Sequence, residues 1–298
     1  MSNTIILSNE ERRTDSTVEM LFNIPLGFLD PNHLGIDESL QKKILHDRYH
    51  KKLIEDGLET GHFFFDNNKV LRFQTKQPMH SISGFIFEAF IVYQFNENIR
   101  TIGKRAFTWC TNRTQCKDDY IDQFKVIGTG FISTKNIYPQ FYSPQNNFDI
   151  QFIRTNKKHD LEEQATIQGT TTPTGIQIKA ITGNEMVEII TPIMSGKYSH
   201  VLTLLRHSDG VHSYNKCMDI IYKLYKEKKI ELSEKDRIES RIQHPETLGI
   251  NQQNVDDYYQ YIKYWFNGQA QPDQFVSDGI GLEVKGYKFG NGILLPES

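Results

Sequence analysis

An α/β fold, a mixed sheet flanked by helices, is what the sequence predicts, and three observations carry that prediction. Between Gly84 and Lys229 the periodic segments run helix, three strands, helix, strand, helix, an alternation that packs helices onto a sheet. The extended runs are rich in β-branched and aromatic residues and are separated by clusters of Pro, Asn, Gly and Thr, the residues that punctuate strands. With 298 residues, 38% of them apolar, and 19 Phe and 14 Tyr, the chain can bury the core of one large domain or two ordinary ones. No internal repeat or low-complexity tract is visible, which excludes solenoids and propellers.

Taken in order, residues 37–57 (DESLQKKILHDRYHKKLIEDG) predict a helix, with good helix formers, Asp37 as cap and Gly57 as stop. HFFFDNNKVLRFQT then places two β-rich runs around Asp66-Asn67-Asn68, residues that tolerate left-handed turns, so a hairpin follows. GFIFEAFIVYQF, from Gly84, is apolar on every side except Glu88. Its composition would suit a buried strand, but Ser81 or Ser83 as cap favours a buried helix. KRAFTWCTNRTQCK reads as a basic, aromatic loop, and FKVIGTGFI, NFDIQFIRT and GIQIKAI read as three strands. NEMVEIITPIM predicts a short helix ended near Pro192, YSHVLTLLRH a fourth strand, and SYNKCMDIIYKLYKEKK a helix. A charged, helical region then reaches Trp265, and DGIGLEVKGYKFGNGI can form an edge hairpin. The expected boundaries are 1–79, 80–230 and 231–298.

Composition removes several classes. Thirty-four basic against 37 acidic residues give a net charge of −3, so a surface coated in cations for non-specific DNA binding is excluded and basic patches must be local. No run approaches the roughly 18–20 apolar residues of a membrane helix, and the polar start lacks a basic segment followed by an apolar one. A cytoplasmic protein without membrane contact is expected. Cys110, Cys116 and Cys217 form no C-x-x-C pair and no disulfide framework.

The chemistry concentrates on three segments. Within GIQIKAI, Gln177 and Lys179 are two apart and share one sheet face, while Ile176, Ile178 and Ala180 take the other. Asp149 lies between Phe148 and Ile150, so its carboxylate also turns away from apolar neighbours. If the two strands are adjacent, Asp149, Gln177 and Lys179 converge. Glu88 adds a second carboxylate from a segment too apolar to leave that charge unpaired, since an isolated buried carboxylate costs several kcal/mol or titrates away. A cation resolves that cost. Oxygen donors from Asp149, Gln177 and Glu88 suit Mg²⁺, with Lys179 stabilising developing negative charge. Because Gln is neutral, weaker metal binding and a preference for Mn²⁺ are expected. The plain structural alternative has Glu88 paired with an Arg in the core, and Gln177 and Lys179 lining a solvated face.

These residues resemble the PD-(D/E)XK nuclease superfamily, in particular Mrr-like enzymes and archaeal-type resolvases, whose last motif is often Q-x-K. The resemblance rests on Gly84-x-x-Phe87-Glu88, Asp149 and Gln177-Ile178-Lys179 over residues 80–230. It implies a restriction-endonuclease-like αβββαβ core with N- and C-terminal extensions, divalent metal use, and metal-dependent hydrolysis of DNA in restriction or antiviral defence. It implies Asp149, Gln177 and Glu88 as metal ligands and Lys179 as the catalytic ammonium. Two features depart from the family: Phe148 stands where it carries Pro, and a Thr- and charge-rich excursion, Thr155–Thr174, separates the two strands. DNA is the expected substrate, with RNA also open, and a homodimer or an ATPase or helicase partner fits the family. The rival class is a non-catalytic nucleic-acid-binding or adaptor subunit that keeps the fold.

Lys104, Arg105, Arg113 and Lys117, interleaved with Phe107 and Trp109, form the best local nucleic-acid candidate. Arg154, Lys157 and Lys158 form a second. His46-Asp47-Arg48-Tyr49-His50 has the i, i+4 spacing of metal-binding histidines, though a helix face accounts for it without metal. His207-Ser208-Asp209 reads as a turn, because triad members converge from separate elements. A second E-x-K, Glu283-Val284-Lys285, has Asp273 and Asp278 upstream but too little chain after it.

Overall fold

Among the described residues the strands fall into three small sheets, of four, three and three strands, distributed over two compact units. One unit comprises residues 1–79 with 253–298, the other residues 80–252. The structure is a computed structural model that describes residues 38–65, 71–73, 78–144, 147–156, 161–266, 287–290 and 293–296. The chain is mixed α/β, as the sequence predicts.

In the first unit, helix α1 (Glu38–Glu59) precedes the antiparallel hairpin β1 (Phe63–Phe65) and β2 (Leu71–Phe73), in the order the sequence predicts, though the helix runs through Gly57 instead of stopping there. The expected turn residues, Asp66-Asn67-Asn68, lie outside the described residues.

The second unit opens with α2 (Met79–Glu97), which buries Ile82, Ile86, Phe87, Phe90, Ile91 and Phe95. A segment so evenly apolar must be covered on most sides, and the buried-helix reading holds. A π-helix (Ile99–Gly103) leads into α3 (Lys104–Cys110) and α4 (Asp118–Ile121). The expected loop over 104–117 therefore begins as a helix. Ala106, Phe107 and Cys110 are fully buried, and tertiary burial of that face decides what local composition leaves ambiguous.

Strand β3 (Phe124–Gly128) is followed by α5 (Ile132–Ile137), then β4 (Ile150–Asn156) and β5 (Leu161–Gln164), with β4 antiparallel to both strands. The excursion after β4 is thus a hairpin strand plus a turn closed by Ile167 N–H donating to Thr172 O. Strands β6 (Gln177–Lys179), β7 (Val201–Thr203) and β8 (Ile242–Gln243) are parallel. The antiparallel bridge Ile150–Ile176 joins β4 to β6.

Between β6 and β7 a second π-helix (Met186–Ile190) runs into α6 (Thr191–Met194). Pro192 does not end this helix. It occupies the first turn of α6, where its missing N–H is not needed. Helices α7 (Ser213–Lys226) and α8 (Leu232–Glu239) follow, with Cys217, Ile221 and Ile238 packed beside Ile189, Ile190, Val201 and Ile242. Elsewhere the aromatic contacts Phe95–Phe152, Phe107–Phe152 and Phe107–Phe124 seat α2 and α3 against β3 and β4. The unit runs past residue 230 because β8 extends the parallel sheet, before α9 (Pro245–Leu248).

The first unit resumes along α10 (Gln252–Phe266), and the tail forms the antiparallel pair β9 (Tyr287–Gly290) and β10 (Ile293–Pro296). β10 also pairs with β2; the tail forms a hairpin, but its second strand starts only at the last residue of the segment expected to form it, most of which lies outside the described residues.

Candidate functional site

The site forms where β4 and β6 part company. Ile150 and Ile176 exchange backbone hydrogen bonds at 3.0 and 2.9 Å. Gly175 permits this approach, because a Cβ there would run into Ile150 O and Phe148. One residue earlier the chain is tied to both sides: Asp149 N–H donates to Ile176 O at 3.1 Å, while Thr129 N–H donates to Asp149 O at 2.9 Å and Thr129 Oγ1 to Phe148 O at 2.7 Å. The β6 N–H that faces this widening gap belongs to Ile178. It donates to Asp149 Oδ2 at 2.7 Å, and Gln177 Nε2 donates to the same oxygen at 2.6 Å. Asp149 sits one residue before β4 and takes the place of the missing ladder bond.

The amide of Gln177 is oriented by that contact. Its nitrogen must face the carboxylate, since only N–H can donate, so Oε1 points the other way. There Oε1 is buried and accepts no hydrogen bond.

Glu88 reaches the same place from α2. Burial, the nearby Asp149 and, in opposition, Lys179 act on its carboxyl group, whose pKa is driven well above the usual carboxylate range. Glu88 makes no hydrogen bond or ion pair to another described residue, so the alternative in which a core Arg neutralises it is not what the structure contains. Asp149 is pushed up to about 6, chiefly by burial, against the opposing help of Ile178 N–H, Lys179 and Gln177. Lys179, only 14% exposed, lies with Nζ 3.2 Å from Glu188 Oε2 and 5.2 Å from the centre of the Tyr198 ring.

All four residues that the sequence singles out for chemistry, Glu88, Asp149, Gln177 and Lys179, therefore meet. The charge of Asp149 adds to desolvation in raising the proton affinity of Glu88, and the Oε1 of Gln177, on the far side of its amide, lacks a donor. A hard divalent cation would relieve both conditions. Among the described residues no three His, Cys, Asp or Glu form a metal-binding group. The protein donors are two carboxylates and one amide, which suits an ion that keeps several waters.

The basic residues are placed differently. Lys104 pairs with Asp118 at 2.6 Å. The Trp109 indole N–H donates to Ser240 O at 2.9 Å, and its ring meets His200 edge-on at 5.0 Å. Arg113 lies over Phe107 and Tyr120, and Arg154 pairs with Glu163 and lies over Tyr120 and Phe124. These four side chains have intramolecular partners. Arg105 and Lys117 are exposed, while Lys157 and Lys158 lie outside the described residues. The second E-x-K, at 283–285, also lies outside them.

His46 and His50 stack at 4.4 Å and share the Tyr261 hydroxyl, at 3.1 and 2.7 Å. Burial lowers both pKa values, that of His46 to about 4, and the pair is part of a core. His207-Ser208-Asp209 is a turn, with His207 N–H donating to Val211 O and Val211 N–H to Asp209.

Two site residues escape the sequence reading, Glu188 and Tyr198. A half-buried lysine on a strand implies a carboxylate nearby, and the helical segment after β6 is where to look for one.

Family models, curated proteins and solved structures yield no match to this chain.

Proposed function

We propose that the protein is a Mg²⁺- or Mn²⁺-dependent endonuclease that hydrolyses phosphodiester bonds of DNA. The observation that carries this reading is the Glu88 and Asp149 pair with Gln177 Oε1 unpartnered beside it and the Lys179 ammonium alongside. The order of α2, β3, β4, β6, the π-helix with α6, and β7 supports a restriction-endonuclease-like core, with β5 as an insertion.

Asp149 and Glu88 would hold the ion, and Gln177, whose Oε1 faces away from Asp149, would join them only if its amide turned over. When bound, it would polarise a phosphoryl oxygen and lower the pKa of a water. Lys179 supplies a fixed positive charge where the phosphate gains negative charge, a role that mutagenesis of comparable donors values at about 2.7–4 kcal/mol. Gln177 keeps Asp149 ionised and aimed by donating to it. The defence setting and a homodimeric or helicase-linked assembly rest on the family resemblance alone.

A second reading, a nucleic-acid-binding adaptor, is favoured by one observation: Lys179 is already ion-paired to Glu188. Plasmid DNA, single-stranded DNA and RNA incubated with Mg²⁺, Mn²⁺ or EDTA separate the two. Cleavage by wild type that disappears with EDTA and in Lys179→Ala is expected. Binding without cleavage, unchanged by Lys179→Ala, would assign the adaptor role instead.

A further inference from the structure

Lys197 stands in a singular position relative to this site. It follows Gly196, whose φ of +77° ends α6 with a left-handed residue, the conformation that glycine adopts without strain. The turn is pinned on both sides, by Gly196 N–H donating to Ile193 O at 3.1 Å and Tyr198 N–H donating to Pro192 O at 3.2 Å. Tyr198, buried to 8% exposure, carries two ammonium groups on its ring: Lys179 and Lys197 each lie 5.2 Å from its centre. The two charges are therefore within twice that distance of each other. That range includes the separation of neighbouring phosphates along a nucleic-acid strand. Lys179 has Glu188 as a partner. Lys197 is exposed and has no carboxylate partner among the described residues.

Glu188 offsets one of the two charges around the ring, which leaves the Lys197 ammonium for an anion from outside the described residues. We infer that Lys197 binds the phosphate next to the one at Lys179, so that the site takes a phosphodiester strand of at least two consecutive phosphates. This inference rests on the nuclease reading for the role of Lys179, but it concerns binding and is tested apart from hydrolysis.

The test measures affinity for labelled single-stranded DNA, duplex DNA and RNA as a function of NaCl, in EDTA and again in Ca²⁺. Wild type, Lys197→Ala, Lys197→Arg and the control Lys226→Ala are compared. The control also removes an ammonium lying over a tyrosine, 5.1 Å from the Tyr222 ring. Each phosphate contact contributes about 0.7–0.9 to the slope of log affinity against log salt. Lys197→Ala is expected to lower that slope by about one and to weaken binding several-fold, Lys197→Arg to keep both, and the control to match wild type. The nucleic acid that shows the difference identifies the strand. A Lys197→Ala protein that binds every strand with wild-type affinity and slope overturns the inference, as does a wild type that binds none. Cleavage by wild type together with unchanged Lys197→Ala binding removes Lys197 alone. Lys197-dependent binding without any cleavage removes the hydrolytic reading and leaves Lys197 in place.

Discussion

Two buried polar clusters, one in each unit, differ in a way that separates structure from chemistry. In the first unit Asp56 accepts from Tyr258 at 2.7 Å and Lys52 at 2.5 Å, and Arg48 pairs with Asp257 at 3.3 Å. The Tyr261 hydroxyl bridges the two stacked histidines. In the second unit Glu88 has no such partner, Asp149 is its like-charged neighbour, and Gln177 Oε1 accepts nothing. Burial raises the Asp56 pKa to about 6, as it does that of Asp149. A displaced pKa by itself therefore distinguishes nothing. What distinguishes the second cluster is its carboxylates: Asp56 and Asp257 each meet a cation directly, Lys52 and Arg48, whereas Glu88 has the like-charged Asp149 as a neighbour and no ion-pair partner among the described residues.

The largest effect should fall on rate. Lys179→Ala or Asp149→Asn should lower cleavage by about a hundred- to a thousandfold, since removing one comparable charge-stabilising group costs about 2.7–4 kcal/mol. Tyr261→Phe leaves the rate per folded molecule unchanged. Initial rates on plasmid DNA, with folding checked by circular dichroism, decide this, and an equal loss in Tyr261→Phe would erase the distinction between the clusters.

Next comes stability. Tyr261→Phe removes the hydroxyl shared by two buried imidazoles and should cost about 2 kcal/mol in urea unfolding. A loss within 0.5 kcal/mol, the range of ordinary surface changes, would mean that the first cluster is not held by its bridge.

A pH-dependent effect follows. The folded protein keeps protons on Glu88 and Asp149 that the unfolded chain releases near pH 4, so these groups cost no stability below that pH. Stability falls as pH rises through about 6, the value for Asp149, and further as Glu88 ionises. In EDTA, Glu88→Gln should therefore melt higher than wild type at pH 8 and should match it near pH 4. With saturating Mn²⁺ the order should reverse. The same difference at both pH values would show that Glu88 is solvated and its charge harmless.

Trp109→Phe gives the smallest change. It loses the hydrogen bond to Ser240 at a cost of about 1 kcal/mol and leaves DNA affinity as it was, because the indole is spent inside the second unit. A tenfold loss of DNA affinity would restore the indole as a stacking platform for bases.

Much of this arrangement is legible in the sequence, and the exceptions have causes. The alternation of β-branched residues exposes β3, β4, β6 and β7, and the lone Glu88 in an apolar helix announces a charge with nowhere ordinary to go. Asp149 and Gln177 are legible as a same-face set once the two strands are neighbours. The helix at Lys104–Cys110 is not legible, since partners such as Ser240 and His200 are remote in sequence. The two-residue β8 carries no periodicity of its own and exists only by pairing with β7. Glu188 and Tyr198 are hidden because their meaning depends on where the Lys179 ammonium comes to rest.

Mn²⁺ binding followed by electron paramagnetic resonance at pH 7.5 tests most directly whether Glu88 and Asp149, beside Gln177, form a cation site. Wild type should bind one Mn²⁺ per chain saturably, and Asp149→Asn should bind it at least tenfold more weakly, with Tyr261→Phe unchanged. No saturable binding by wild type, or equal binding by wild type and Asp149→Asn, would contradict the account.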